Sequence, residues 1–220
     1  MCGVIFMCTR FYIEPDNEET RELIDIARRS KLADAFMKTG SAIQTQGEIK
    51  PTNVVPVTAT GKSGKKSAFP MRWGFQIPNR SLLVNARSET AGEKPSFREA
   101  WQQHRCVIPA SYYFEWEHLI GSSGQKKVGD KFMLQPKNET MTWLAGIYRM
   151  EEGLPVFTVL TRKPSEGIAH IHDRMPLILP KHIIDQWIHP DSNPASLLQY
   201  ALTNVLAERV EKQDSQMRIM

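Results

Sequence analysis

The sequence predicts an α+β protein in which a barrel-like antiparallel β core carries peripheral helices in a single domain. Three observations predict this fold class. Between residues 47 and 159, short runs rich in β-branched and aromatic residues recur, separated by Gly, Pro, Asn and Ser. Stretches with apolar residues at helical spacing precede and follow these runs. No linker is long enough to separate two domains, so we expect one domain over 1–210 and a flexible tail over 211–220.

The individual elements follow from local signals. Asp16, with Glu19 three residues later, has the spacing of a capping box and predicts a helix start. By residue number, we expect a strand at 1–13, a helix at 17–37, β-rich runs at 47–159 interrupted by a helix at 94–103, and helices at 181–188 and from 194. The segment NVLAERVE either extends the last helix or forms a final strand.

Composition narrows the function classes. The chain has 220 residues, 41% hydrophobic and 24% charged, and a net charge of +4, which permits an anionic partner without requiring one. Three cysteines without a CxxC pair indicate neither a disulfide framework nor a cysteine zinc site. No apolar run approaches the ~20 residues of a membrane span. We therefore expect a monomer in a reducing compartment, cytoplasmic and nucleoid-associated in a bacterium or nuclear in a eukaryote.

Cys2 directly follows Met1 and is the first candidate for chemistry. Aminopeptidases remove an initiator methionine before a small residue, which would leave an amine and a thiol on adjacent carbons of Cys2. Such a pair attacks an aldehyde twice, first forming an imine and then closing a five-membered thiazolidine. It can also act as an N-terminal nucleophile whose amine is the base. The competing interpretation is a small apolar residue buried in a strand.

Polar residues interrupt three apolar strands further along the chain. In LLVNARSET, alternation puts Asn85 and Arg87 on one face, where an amide and a guanidinium can hold a phosphate, or simply face solvent at an edge. Glu115, among the aromatics of YYFEW, is either buried with a raised pKa, as a general acid requires, or exposed. Thr161 ends FTVLT, where its hydroxyl can point into a pocket.

The segment HIHDRMP contains His170, His172, Asp173 and Arg174. The spacing of the two histidines can chelate a metal, but no third ligand is suggested nearby, so we expect no metal and no cofactor. One histidine beside an acid and an arginine fits proton transfer better. The alternative is a loop stabilised by its own ion pairs.

Seven short segments occur in one order: MCG, PTNVVPV, MRWGF, VNARSET, YFEW, VLT and IHDRMP. In this order they resemble the SRAP (SOS response-associated peptidase) domain family, from Cys2 to Pro176. The resemblance implies an abasic-site DNA–protein crosslinking protein. Its mature Cys2 would form a thiazolidine with the ring-opened aldehyde of an abasic site in single-stranded DNA. It also implies lyase activity and a self-processing peptidase activity.

The resemblance also implies residue roles. Asn85 matches the family asparagine beside the cysteine amine, and Glu115 and His172 match the family's active-site glutamate and histidine. The DNA-facing matches are Arg87, Thr161 and Trp73, the last beside the DNA channel. Arg174 of the HDR segment is a further candidate for DNA binding. Val4 replaces the arginine that relatives use on DNA phosphate, which concerns affinity rather than chemistry.

Two other functions stay open from the sequence. Class II glutamine amidotransferases also begin with MCG, although they carry a downstream NGEIYN-like segment that this chain lacks. A non-catalytic module that binds single-stranded DNA is the other alternative. It would leave Cys2 as packing and would form no covalent adduct.

Overall fold

The computed structural model describes residues 9–79, 81–120 and 124–211. These residues form thirteen strands and five helices. The strands are β1 (Arg10–Ile13), β2 (Gly47–Ile49), β3 (Val54–Thr60), β4 (Lys66–Trp73), β5 (Asn85–Arg87), β6 (Arg105–Ala110), β7 (Tyr112–Ile120), β8 (Lys126–Pro136), β9 (Thr142–Glu151), β10 (Leu154–Arg162), β11 (Met175–Pro176), β12 (Ile178–Leu179) and β13 (Val205–Arg209). The helices are α1 (Glu18–Arg28), α2 (Lys31–Lys38), α3 (Arg98–Gln103), α4 (Ile184–Ile188) and α5 (Pro194–Leu197).

Five strands close into a barrel in the order β10, β4, β3, β6, β9 and back to β10. Four of these pairings are antiparallel, and only β10 with β4 is parallel. Strand β10 also pairs with β5 and β11 near its carboxyl end. The predicted α+β fold with a barrel-like core and peripheral helices is therefore confirmed, and β10 is the strand on which several segments meet.

A second sheet of five strands lies in the order β13, β8, β7, β1, β2. One hydrophobic cluster contains residues of both the barrel and this sheet, including Trp73 and Phe157 from the barrel and Phe11, Tyr113 and Leu134 from the sheet. The segment NVLAERVE contributes β13, so the strand alternative is the correct one.

The helix predicted over 17–37 is wrong as a single element, because it divides into α1 and α2. The Ser30 side chain accepts a hydrogen bond from the Leu32 backbone N–H at 3.2 Å. This bond caps the start of α2, so the backbone hydrogen bonding of α1 does not continue into α2. The N-cap of α1 is Asn17 rather than Asp16, since the Asn17 side chain accepts from the Thr20 backbone N–H at 2.8 Å.

The remaining helices cover the other side of the barrel. Trp101 from α3, Trp187 from α4 and Leu197 from α5 share a second hydrophobic cluster with barrel residues. Helix α3 begins at Arg98, later than the predicted 94, after a turn that contains Pro95. Among the described residues, no helix has the length and apolar character needed to cross a membrane. The predicted start of the first strand (1–8) and all but one residue of the predicted tail (212–220) lie outside the described residues.

Candidate functional site

Cys2 and Val4 lie outside the described residues, whereas the groups predicted to surround Cys2 lie within them. These groups come from β5, β7, the carboxyl end of β10 and the segment 170–174.

Asn85 and Arg87 lie on β5, which runs parallel to β10 with Asn85 opposite Val159 and Arg87 opposite Thr161. Alternation along the strand places these two side chains on one face and Ala86 on the other. Ala86 is buried in the hydrophobic cluster that includes residues of α3, α4 and α5. Arg87 is exposed and Asn85 is half-buried. A guanidinium that can reach solvent therefore stands next to an amide at the edge of the protein interior.

Arg174 links the segment 170–174 to β10 and to the loop that follows β5. Its guanidinium donates two hydrogen bonds to the Glu89 carboxylate, at 2.9 and 2.7 Å, and one to the Thr161 carbonyl oxygen at 2.8 Å. The Arg174 side chain is 8% exposed and that of Glu89 is 42% exposed. Hydrogen bonding from Arg174 lowers the pKa of Glu89 from 4.5 to about 2. The carboxylate is therefore ionised at neutral pH, and the two side chains form a charged bridge.

Arg174 and Thr161 meet at this bridge. Two of the Arg174 guanidinium nitrogens donate to Glu89 and Thr161, and the residue is buried. Thr161 is fully buried and lies at the same junction, where its hydroxyl is 3.4 Å from an Arg174 nitrogen. The contact of these two residues with DNA stays a prediction.

His172 is 3% exposed and is held by its own loop. Its Nδ1 accepts a hydrogen bond from the Arg174 backbone N–H at 3.0 Å and lies 3.0 Å from Asp173 Oδ1. The His118 ring packs beside it, with the ring centroids 4.0 Å apart. A hydrogen bond of 2.9 Å from the His118 backbone N–H to the Ile171 carbonyl oxygen fastens β7 to this segment.

Glu115 lies on β7, opposite Phe132 of β8, and is 3% exposed. Of the two alternatives left open for Glu115, the structure shows the buried one. Tyr113, two residues earlier on the same face, belongs to the cluster shared by the sheet and the barrel. Between Trp116 and His118 the β7–β8 register shifts at a bulge. Beyond that bulge the strand reaches the segment that carries His172.

Trp73 is buried in the barrel. It is 1% exposed, its indole nitrogen donates to the Val84 carbonyl oxygen at 2.8 Å, and its ring stacks on Phe157 at 6.0 Å between centroids. Its position beside a DNA channel stays a prediction, and its contacts among the described residues are with the protein core.

Sequence reasoning missed two contributors to the site. His118 was passed over because nothing in its own strand marks it, and only the bulge and the fold bring it against His172. Glu89 follows the strand of Asn85 and Arg87, and nothing in that stretch marks it as part of the site. The pairing with Arg174 spans 85 positions and has no local sequence signal.

Comparison with known proteins gives one family match. The family model described as SOS response associated peptidase (SRAP) matches residues 7–217. The abasic site processing protein YoqW of Bacillus subtilis is 29% identical over 216 residues, covering 93% of this chain and 90% of that protein. The abasic site processing protein YedK of Escherichia coli is 28% identical over 131 residues, covering 56% of this chain and 55% of that protein.

Solved structures share the fold. A phage-related protein of Bordetella bronchiseptica superposes with a TM-score of 0.68 at 19% identity, covering 93% of this chain and 95% of that one. A protein of Bacteroides thetaiotaomicron superposes with a TM-score of 0.66 at 21% identity, covering 91% and 92%.

Proposed function

The chain belongs to the SOS response associated peptidase (SRAP) family, and from that premise we propose that it captures abasic sites in single-stranded DNA through a covalent bond to Cys2. Relatives that align over most of their length are named abasic site processing proteins. The substrate in this proposal is the ring-opened aldehyde of the abasic sugar. The product is a thiazolidine between that aldehyde and the amine and thiol of Cys2.

One observation carries the proposal: a carboxylate and an imidazole, each 3% exposed, lie on two segments that a backbone hydrogen bond fastens together. Buried ionisable side chains are uncommon unless they have partners or a chemical task. Arg174 bonds to Glu89 and to Thr161 of β10, which links the His172 segment to β10. Strand β10 in turn pairs with β5, the strand that carries Asn85 and Arg87. Acid–base groups, an amide and an exposed guanidinium are what an aldehyde-capturing DNA site needs.

The reaction balances with the loss of one water. The Cys2 amine adds to the aldehyde carbon to give a carbinolamine, and protonation of its hydroxyl releases water and leaves an imine. The thiolate then adds to the imine carbon and the nitrogen takes up the proton, which closes the ring. In this proposal His172 and Glu115 exchange the protons and Asn85 orients the amine. The same groups, used in reverse, would open the ring and release the DNA.

Recognition of the strand falls to the exposed groups. Arg87 would pair with a phosphate next to the abasic site, while Arg174, held by Glu89, would keep His172 in place. Proton transfer then takes place among buried side chains, where few water molecules compete. Lyase activity would be the release of cleaved DNA from this site, and peptidase activity would be limited to removal of Met1.

A denaturing gel tests the proposal. The chain is mixed with a single-stranded oligonucleotide that carries one abasic site, and a slower band marks a covalent adduct. We expect the band with the unsubstituted chain and with the matched control Cys8→Ala, and no band with Cys2→Ala. A band of equal intensity with Cys2→Ala would overturn the proposal.

The assigned proton carriers are tested by adduct kinetics. Glu115→Gln and His172→Ala should each slow adduct formation or its reversal by on the order of 10²-fold, as expected for lost general acid–base catalysis. Affinity for an undamaged strand should stay nearly unchanged. Wild-type kinetics in both variants would remove these roles while leaving the Cys2 chemistry intact.

A further inference from the structure

We propose that His118, His172 and Asp173 form a binding site for a divalent transition-metal ion of the zinc class, and that the bound metal inhibits adduct formation. The second half of this inference depends on the proposed function, whereas the metal site itself does not. From the sequence alone, His170 and His172 had no third ligand near them, and the fold supplies a different pair of partners for His172.

The geometry of the three side chains is close to that of a metal site. One donor atom from each lies within 4.8 Å of the donor atoms of the other two. Ligands of a tetrahedral zinc ion, at about 2.0–2.2 Å from the metal, are roughly 3.4 Å apart. His172 Nδ1 and Asp173 Oδ1 are already 3.0 Å apart. The widest pair would therefore need to close by no more than about 1.5 Å, which side-chain rotation can supply.

Two of the three ligands are already held in place. The backbone hydrogen bond from His118 to Ile171 fixes the end of β7 against the loop, and the two imidazole rings lie 4.0 Å apart between centroids with 53° between their planes. His172 is 3% exposed, so its ring has little freedom to move. Asp173, by contrast, has a side chain that is 74% exposed and can turn toward a metal. The site combines two histidines that the fold holds close together with a carboxylate open to solvent.

The chemistry of the donors selects the class of ion. Two imidazole nitrogens and one carboxylate oxygen suit zinc and neighbouring transition metals, whereas calcium and magnesium prefer oxygen ligands throughout. His172 Nδ1 accepts the Arg174 backbone N–H, so it is the unprotonated nitrogen of the ring, and a metal would take its lone pair in place of this hydrogen bond. The positive charge of Arg174 is offset by its two hydrogen bonds to Glu89. Repulsion of an incoming cation is reduced accordingly.

Metal binding would compete directly with the proposed role of His172. A metal on Nδ1 would replace the Arg174 backbone hydrogen bond and would disfavour a second positive charge on the ring, so His172 could no longer take up a proton. His118 is assigned no proton transfer but packs against His172, so the effect of the metal on a His118 variant is measured against that variant's own metal-free rate. His170 is exposed and lies two residues before His172, outside the cluster, which makes it a matched control.

The metal site is tested by titrating the full chain with zinc chloride in a calorimeter and with cobalt(II) in a visible absorption spectrum. We expect one ion per chain and ligand-field bands typical of low coordination number. His118→Ala and Asp173→Asn should weaken binding by on the order of 10-fold or more, and His170→Ala should leave it unchanged. Absence of binding, or equal weakening by His170→Ala, would overturn the site. Thermal melts of each variant show whether it is folded.

The proposed inhibition of adduct formation by the bound metal is tested on the denaturing gel, first with zinc and then with a chelator. We expect zinc to slow adduct formation by the unsubstituted chain and the chelator to restore it. For His118→Ala, the ratio of the rates without and with zinc should fall toward one, whatever the zinc-free rate of that variant is. Unslowed reaction of a chain that demonstrably binds zinc would overturn the inhibition and leave the metal site standing. Absence of any adduct without zinc would instead count against the proposed function, and the titrations alone would then decide the metal site.

Discussion

Replacing Glu89 with glutamine removes one side of the bridge that holds the His172 segment to β10. The fall in the pKa of Glu89 from 4.5 to about 2 corresponds to roughly 3.4 kcal/mol before solvent screening. The Glu89 side chain is 42% exposed, so we discount this to about 1–2 kcal/mol. Glu89→Gln should lower the free energy of unfolding by that amount at pH 7. Urea denaturation followed by the fluorescence of the five tryptophans measures it.

The direction of the Glu89 pKa shift predicts how the stabilisation by the bridge changes with pH. Because the folded-state pKa of Glu89 lies below its unfolded value, the bridge stabilises the protein fully above about pH 4.5, and that contribution is lost as the pH falls toward 2. At pH 3 about two fifths should remain, so the difference between the two chains should shrink from its pH 7 value. A matched control is Glu93→Gln, an exposed glutamate of the same loop, which should change little.

The same variant separates positioning from binding. Since Arg174 also donates its backbone N–H to His172, a loosened Arg174 should slow adduct formation while affinity for an undamaged strand stays the same. A difference in unfolding free energy below about 0.3 kcal/mol at pH 7, or one that does not narrow at pH 3, would refute the reasoning.

Three further substitutions follow from the structure. Arg87→Ala should weaken binding to undamaged single-stranded DNA and flatten its salt dependence by about 0.7 units, whereas the exposed Arg29→Ala should not; equal slopes would contradict a phosphate contact. Arg105→Leu should lower the free energy of unfolding by about 3–5 kcal/mol in urea denaturation, because the buried guanidinium donates to five backbone carbonyl oxygens. A loss below about 1 kcal/mol would contradict a stabilising role for these hydrogen bonds. Thr52→Gly should raise the unfolding free energy by about 1 kcal/mol, since Thr52 has a φ of 77°; a decrease would show that the threonine side chain is needed.

The sequence predicted the fold class because its signals are local. Short strands with punctuating glycine and proline, and the alternation around Asn85 and Arg87, can be recognised within ten residues, and both agree with the structure. The break at Ser30 was missed because helical spacing continues across it, although the serine is itself a capping residue.

The site was predictable only in part. Glu115 and His172 stand out as polar residues within apolar strands or loops, and the structure buries both. The surroundings of Arg174 and Trp73 depend on partners that lie far away in the chain, Glu89 for the arginine and Phe157 for the tryptophan. Such pairings are decided by packing, so a guanidinium that ends in an ion pair cannot be told from one that faces DNA by its sequence position.

The mass of the adduct tests the central claim most directly. After reaction with an abasic oligonucleotide, without any reducing agent, intact mass spectrometry should give the mass of the chain lacking Met1 plus the oligonucleotide minus one water, and peptide mapping should place the link on Cys2. An adduct that maps to a lysine, that survives only after borohydride reduction, or that retains Met1 would contradict the account.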